Sequence, residues 1–291
     1  MKRGYVNLDA AARGQEQSGW QIHYRETGHS DVSCVLLHPS PLSSESMIPV
    51  MQALSPQMRC VAWDTPGYGM SDPLPHEWSA GDLSPYVHAL VAFIKALDLN
   101  RPILYGSATG AQIAIEFSKQ HPQHCGGLLL ENLALFSDEE RASMLPAYFP
   151  KATPRDDGGH LSALWNMARD STRYFPWYAR GPEAERRSAY PDAQIINMIT
   201  RDYLLAGSNY DRAYRAAFEN ESLAQLQAVT ISTRIVLWED GLLGEYGERL
   251  ASAELPGNML VRRAPAGMPQ RMQTVIDSAR ELLELRGSSQ C

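Results

Sequence analysis

The chain has 291 residues but few cysteines, no surplus of basic residues, no long apolar run, and no histidine after residue 160. Its four cysteines, Cys34, Cys60, Cys125 and Cys291, form no C-x-x-C pair and have no histidine at ligand spacing. That excludes a zinc site and a disulfide framework, and no metal is expected. Lysine and arginine number 26 against 33 acidic residues, a formal net charge of -7. Without a broad positive field, nucleic acid is excluded as a partner. No stretch reaches the roughly 18 apolar residues of a membrane span. The opening "MKRGYVNLDAAARG" starts with two basic residues but has no apolar core of a signal peptide, so a cytoplasmic location is expected.

What is present suits a folded protein that handles a small molecule. Hydrophobic residues make up 44% and charged residues 20%, enough apolar material for a large core. Short apolar runs recur at 34–39, 59–67, 102–110, 126–134, 233–241 and 259–267. Continuous Val, Leu and Ile runs ending in Gly or Pro predict strands buried on both faces of a parallel sheet. The segments around Tyr5 and "WQIHYRETG" read as an antiparallel edge hairpin. Between the runs lie helical patterns. Residues 85–99 place Val87, Leu90, Val91, Ile94 and Leu97 on one face, and 269–286 place Val275, Ala279, Leu282 and Leu283 on another. Strand and helix alternate, which predicts an α/β fold. The rhythm breaks after residue 134, and nearly a hundred residues rich in aromatics, Arg and Pro follow before the strand at 233. Residues 135–228 are therefore expected to be an inserted helical cap on a core formed by 1–134 and 229–291.

Three ordered motifs carry a resemblance. "VLLHPSPLSS" is similar to an H-G-x-P strand-to-loop segment. "AWDTPGYGMSDP" is similar to D-x-P-G-x-G-x-S-D. "YGSATGAQIAIEFSKQHP" matches a G-x-S-x-G turn and its helix, with Ala111 as a small residue at the helix–sheet contact. Together they resemble the α/β-hydrolase superfamily over essentially the whole chain, and the cap places it with haloalkane dehalogenases, epoxide hydrolases and carbon-carbon bond hydrolases. The resemblance implies a mostly parallel eight-stranded sheet, no cofactor, and a nucleophile, acid and histidine in that chain order. Here the nucleophile position is Ala108 and the histidine position, in "APAGMPQR", is Met268. The acid is Asp240 in "LWEDG" or Glu131 in "LLENL". Because no histidine follows His160, a Ser-His-Asp triad in the family's order is excluded.

The same resemblance implies an oxyanion pocket from the backbone N–H of Thr109 and Ser40. The side chains of His38, Ser40, Ser107, Thr109, Glu131, Asp240 and Met268 are expected within reach of that spot. For His38 a loop-orienting hydrogen bond is the alternative role, and for Ser107 and Thr109 it is capping of the following helix. Asp64 reads as a loop-holding residue. In the cap, His160 opens a helix whose Leu161, Leu164, Trp165 and Ala168 are expected to face inward, which makes His160 a candidate general acid or base. Trp165, with nearby aromatics, is a candidate for the pocket roof. Arg169 is a candidate for a substrate carboxylate or a partner of Asp170. Three readings of function stay open. One is an enzyme that keeps the oxyanion pocket and works by acid–base chemistry on a small carbonyl or carboxylate compound, as lyase, decarboxylase, isomerase or atypical hydrolase. The others are a ligand-binding protein without activity and an engineered knockout of a hydrolase. A homodimer is compatible with each.

Overall fold

The buried apolar runs do become sheet strands in the computed structural model, which describes residues 1–8, 20–74, 81–187 and 189–288. β1 (Lys2–Leu8), β2 (Trp20–Thr27), β3 (Ser33–Leu37), β4 (Arg59–Trp63), β5 (Ile103–Ser107), β6 (Gly127–Glu131), β7 (Thr233–Trp238) and β8 (Met259–Ala264) form one sheet in the order β1-β2-β4-β3-β5-β6-β7-β8. β1 and β2 pair antiparallel, as do β2 and β4, and every later pairing is parallel. All five residues of β3, β5 and β6 are buried, which is why these segments read as unbroken apolar runs rather than alternating ones.

Helices close both faces. α1 (Ile48–Leu54) packs on one side, followed by α2 (Ser84–Ala96) and α3 (Thr109–Gln120) on the other, and α10 (Met268–Ser288) returns beside α1. Two apolar cores result. One, beneath α2 and α3, contains Val35, Leu37, Leu90, Phe93 and Ile113. The other, beneath α1 and α10, contains Leu36, Met51, Leu54, Val275 and Ala279.

Between β6 and β7 run α4 (Asp138–Tyr148), α5 (Gly159–Asp170), α6 (Ala193–Ala206), α7 (Arg212–Asn220) and α8 (Leu223–Gln227). Two of these starts have a side-chain cap. Ser137 and Glu140 form a reciprocal capping box at α4, and the Asp192 carboxylate accepts from Gln194 N at α6. In α5 the buried face is Leu164, Met167 and Ala168, while Leu161 is 47% exposed and Trp165 only partly buried. The buried face is thus shifted from the expected phase, towards Met167 and away from Leu161 and Trp165. α9 (Glu245–Ala251) follows β7. Among the described residues no helix is long and apolar enough to cross a membrane.

Candidate active site

The sharp turn between β5 and α3 anchors the site. Ala108 adopts φ 47° and ψ -112°, a strained conformation for a residue with a Cβ. Its N–H donates to Glu131 O at 3.1 Å, and its carbonyl accepts from Gln112 N at 3.1 Å to start the helix. The flanking glycines make this close passage possible. A Cβ on Gly106 would meet Ala111 Cα at 2.6 Å, and one on Gly110 would meet Leu37 O at 2.1 Å. Thr109 is the first residue of α3, so its N–H has no intrahelical acceptor. Neither Ser107 nor Thr109 caps the helix. Ser107 Oγ accepts from Asn132 Nδ2 at 2.8 Å, and Thr109 Oγ1 and Ser40 Oγ are buried without a partner among the described residues.

Beside this turn lies a cavity of about 460 Å³. The sheet side contributes Ser40, Leu42, Ala108, Asn132, Trp238 and Met268, and the β6–β7 insertion contributes Tyr148, Phe175, Ile199, Tyr203, Tyr214 and Phe218. Among the described residues three charged ones reach it: Arg187, Arg271 and Glu221. The two guanidinium groups lie over the Trp238 ring, 5.5 Å from its centroid for Arg187 and 5.1 Å for Arg271, and Trp238 Nε1 is buried without a partner among the described residues. Burial lowers the pKa of Arg187. Sequence reading missed all three charged residues because their separations, 34 to 84 residues along the chain, form no local pattern.

The candidates drawn from sequence divide sharply. Ser40, Ala108 and Met268 line the cavity, whereas Ser107, Thr109, His160, Glu131, Asp240, His38 and Trp165 do not. Glu131, 2% exposed, is held in a bidentate pair with Arg271, at 3.0 Å to Nε and 2.9 Å to Nη2, and also accepts from the Tyr105 hydroxyl. Its charge is matched inside the protein, and Arg271 faces the cavity in its place. Burial and the adjacent Glu131 push the Tyr105 hydroxyl well above its ordinary pKa. Asp240 Oδ2 accepts from Gly267 N at 2.7 Å, and Glu239 Oε2 accepts from Ala266 N at 3.0 Å. This acid pair fixes the loop that delivers Met268, itself 45% exposed, to the start of α10.

His38 has the loop-orienting role. Its Nε2 accepts from Thr65 N at 2.9 Å, which leaves the proton on Nδ1 to donate to Pro39 O at 3.0 Å. Burial lowers its pKa despite Asp64 and Asp202 nearby, so the ring is neutral with both nitrogens engaged. His160 Nδ1 accepts from Arg155 N at 3.1 Å in the turn before α5, which corrects the expectation of a histidine beneath the cap. Trp165 packs against the core. Arg169 donates to Asp170 at 3.0 Å. Burial drives the thiols of Cys60 and Cys125 up to about 12, so neither is a nucleophile. Among the described residues, no three His, Cys, Asp or Glu side chains are grouped to hold a metal.

Glu221 is the one carboxylic acid among the described residues lining the cavity. It stands just past α7, its Oε1 accepting from Ala134 N at 2.5 Å. Burial pushes its pKa up to about 8 against the opposing effects of that N–H, Arg141 and Gln112.

Comparison with known proteins agrees with this architecture. The chain is 31% identical over 114 residues to a 2-hydroxy-6-oxononadienedioate/2-hydroxy-6-oxononatrienedioate hydrolase of Pseudomonas putida, a match covering 38% of this chain and 39% of that protein. A counterpart from Escherichia coli K12 is 27% identical over the same shares. The chain therefore spans well under half the length of these curated relatives. Among solved structures, a thermophilic esterase from Thermogutta terrifontis superposes with a TM-score of 0.65 at 16% identity, covering 98% of this chain and 99% of its own. A bromoperoxidase from Bacillus anthracis gives 0.63 at 15% identity, covering 99% and 100%. At such identities these likenesses speak to fold alone. The model of the alpha/beta hydrolase family matches residues 34–279, and with the strand order and the strained β5–α3 turn this makes the chain a member of that family.

Proposed function

We propose that this protein is an α/β-hydrolase-fold enzyme for small oxo-carboxylates that works by acid–base chemistry without a covalent serine intermediate. The observation that carries this is the cavity wall itself. Two guanidinium groups flank Trp238 on one side, and Ala108 brings a methyl group, rather than a nucleophile, to the turn. A carboxylate is the natural ligand of a fork-shaped cation held on an aromatic ring. The Pseudomonas putida relative is named for a dioate that also carries an oxo group, which fits an aromatic-lined cavity where Arg187 is outside any described ion pair and Arg271, paired with Glu131, lies on the same indole. The backbone amides of Thr109 and Ser40 are the donors for the substrate oxygen on which negative charge develops. The helices between β6 and β7 serve as a cap that excludes water from the cavity.

The test is binding of a series of 2-oxo-dicarboxylates of increasing length, measured by calorimetry against their dimethyl esters. Arg187→Ala is expected to weaken the acids by about tenfold or more while leaving the esters unchanged. Equal binding of acids and esters by the unaltered protein overturns the reading. A second reading, a binding protein without turnover, is favoured by one specific observation: none of the described lining residues is a histidine. Binding of the acids without any chemical change over long incubation selects it.

A further inference from the structure

Among the described residues lining the cavity, one group is suited to moving protons near neutral pH, and it lies in a segment where sequence pattern gave no signal. Glu221 is placed by tertiary contacts. Asn220 Nδ2 donates to Gln112 Oε1 at 3.0 Å and to Glu116 Oε1 at 3.1 Å, pinning the end of α7 to the first turns of α3. Gln112 is one helical turn from Ala108, whose carbonyl accepts its N–H. The Glu221 carboxyl is held between Ala134 N and the Gln112 side chain and borders the cavity, as does Ala108.

We propose that Glu221 is a catalytic residue of this cavity, transferring a proton to and from the carbon beside a substrate carbonyl. The proposal rests on the reading of the cavity as a site for oxo-carboxylates. Several features fit it. Among the described residues the Glu221 carboxyl is in no ion pair, whereas Glu131 is locked to Arg271. Arg141 is near, but its Nη2 bonds the Glu221 main-chain carbonyl at 2.5 Å and not the carboxyl. The other groups facing Glu221 are Tyr214 of α7, the neutral Gln112 of α3 and the Ala134 N–H. Burial outweighs them and keeps the carboxyl largely protonated at neutral pH while leaving a usable fraction of carboxylate.

The step balances without a further reactant. The carboxylate takes the proton from the carbon beside the carbonyl, the C–H electron pair becomes the C=C bond of an enolate, and the carbonyl π pair moves to oxygen. Returning the proton to carbon restores the C=O bond and the carboxylate.

The experiment follows exchange of the hydrogens beside the oxo group of 2-oxopentanedioate in deuterated water by NMR, with binding measured on the same samples. The unaltered protein is expected to accelerate exchange, with a rate that rises with pH through about 8, the value set by the environment of Glu221. Glu221→Gln keeps an acceptor for Ala134 N–H. It is expected to lower the exchange rate by about a hundredfold or more while binding stays within about threefold, and Glu221→Asp is expected to restore part of the rate. Exchange by Glu221→Gln at the unaltered rate overturns the assignment. So does a protein that binds 2-oxopentanedioate but exchanges none of its hydrogens, an outcome that leaves the binding reading intact. Failure of the unaltered protein to bind the compound at all overturns both.

Discussion

Two of the cavities among the described residues, of about 460 Å³ each, differ in how far their charges are paired. The first lies between the β1–β2 hairpin and α6, and most of its ionisable groups are matched to one another. His23 pairs with Asp64 at 2.9 Å, Arg25 and Arg201 share Glu45 at 3.1 Å each, and Arg201 also meets Asp202 at 3.1 Å. Asp64 further accepts from Ser44 N at 2.7 Å and Met70 N at 2.8 Å. The second cavity, at the β5–α3 turn, is largely aromatic; of its two cations on an indole Arg271 is paired with Glu131, while Arg187 and the acid Glu221 are outside any described ion pair. Charges that satisfy each other hold loops in place. A lining charge outside such pairs, as at Arg187 and Glu221, is available to a ligand. The His23–Asp64 pair is accordingly a structural tie between β2 and the loop after β4, in keeping with the loop-holding reading of Asp64.

Removing the central acid of the first cavity tests that contrast most severely. Asp64→Ala leaves His23 and two backbone N–H groups without their acceptor, and is expected to cost about 3–5 kcal/mol of unfolding free energy, measured by denaturant titration. Acid titration gives the same information without mutation. Burial raises the Asp64 pKa, but hydrogen bonds from His23, Ser44 and Met70 and the nearby His38 outweigh it and bring it from 3.8 to about 2. A carboxyl whose folded pKa is depressed stabilises the fold above its unfolded value and loses that contribution as pH falls between the two. Stability is therefore expected to drop from about pH 4 towards about pH 2 in the unaltered protein and to be flatter over that range in Asp64→Ala.

At the second cavity the effects are chemical. Ala108→Ser alone is expected to give no labelling by serine-directed phosphonates and no burst with p-nitrophenyl acetate, since neither Met268 nor any described lining residue is an imidazole. Adding Met268→His places an imidazole next to Gly267, whose N–H is already held by Asp240, and is expected to produce slow labelling. Labelling of the single variant would show that a base already stands at the turn. The smallest expected effect is Ala108→Gly. Release of the strain at φ 47° outweighs the added chain entropy of glycine by about 1 kcal/mol, a rise of a few degrees in melting temperature.

Periodicity and punctuation determined the fold. The runs at 34–39, 102–110 and 126–134 became β3, β5 and β6, the pattern at 85–99 became α2 at Ser84–Ala96, and the glycines at 106 and 110 announced a turn whose geometry the structure reproduces at Ala108. Burial on both sheet faces leaves a local signature in composition, and a tight turn leaves one in its glycines, so both are legible from neighbouring residues alone. The count of histidines was equally decisive, because no packing can add an imidazole that the chain does not encode.

Tertiary structure alone decided which acids meet the cavity. Glu131 and Asp240 stand at strand ends where a catalytic acid is expected, yet Arg271 from α10 and Gly267 from the preceding loop claim them. His160 turns to Arg155 because the start of α5 is a local turn. Glu221, with Arg187 and Arg271, comes together through contacts spanning up to 84 positions of sequence. Hydrogen bonds and ion pairs are directional and short-ranged, so an acid is either neutralised or left available according to what lies within a few ångströms, and sequence spacing carries no record of that once the partners sit on different elements.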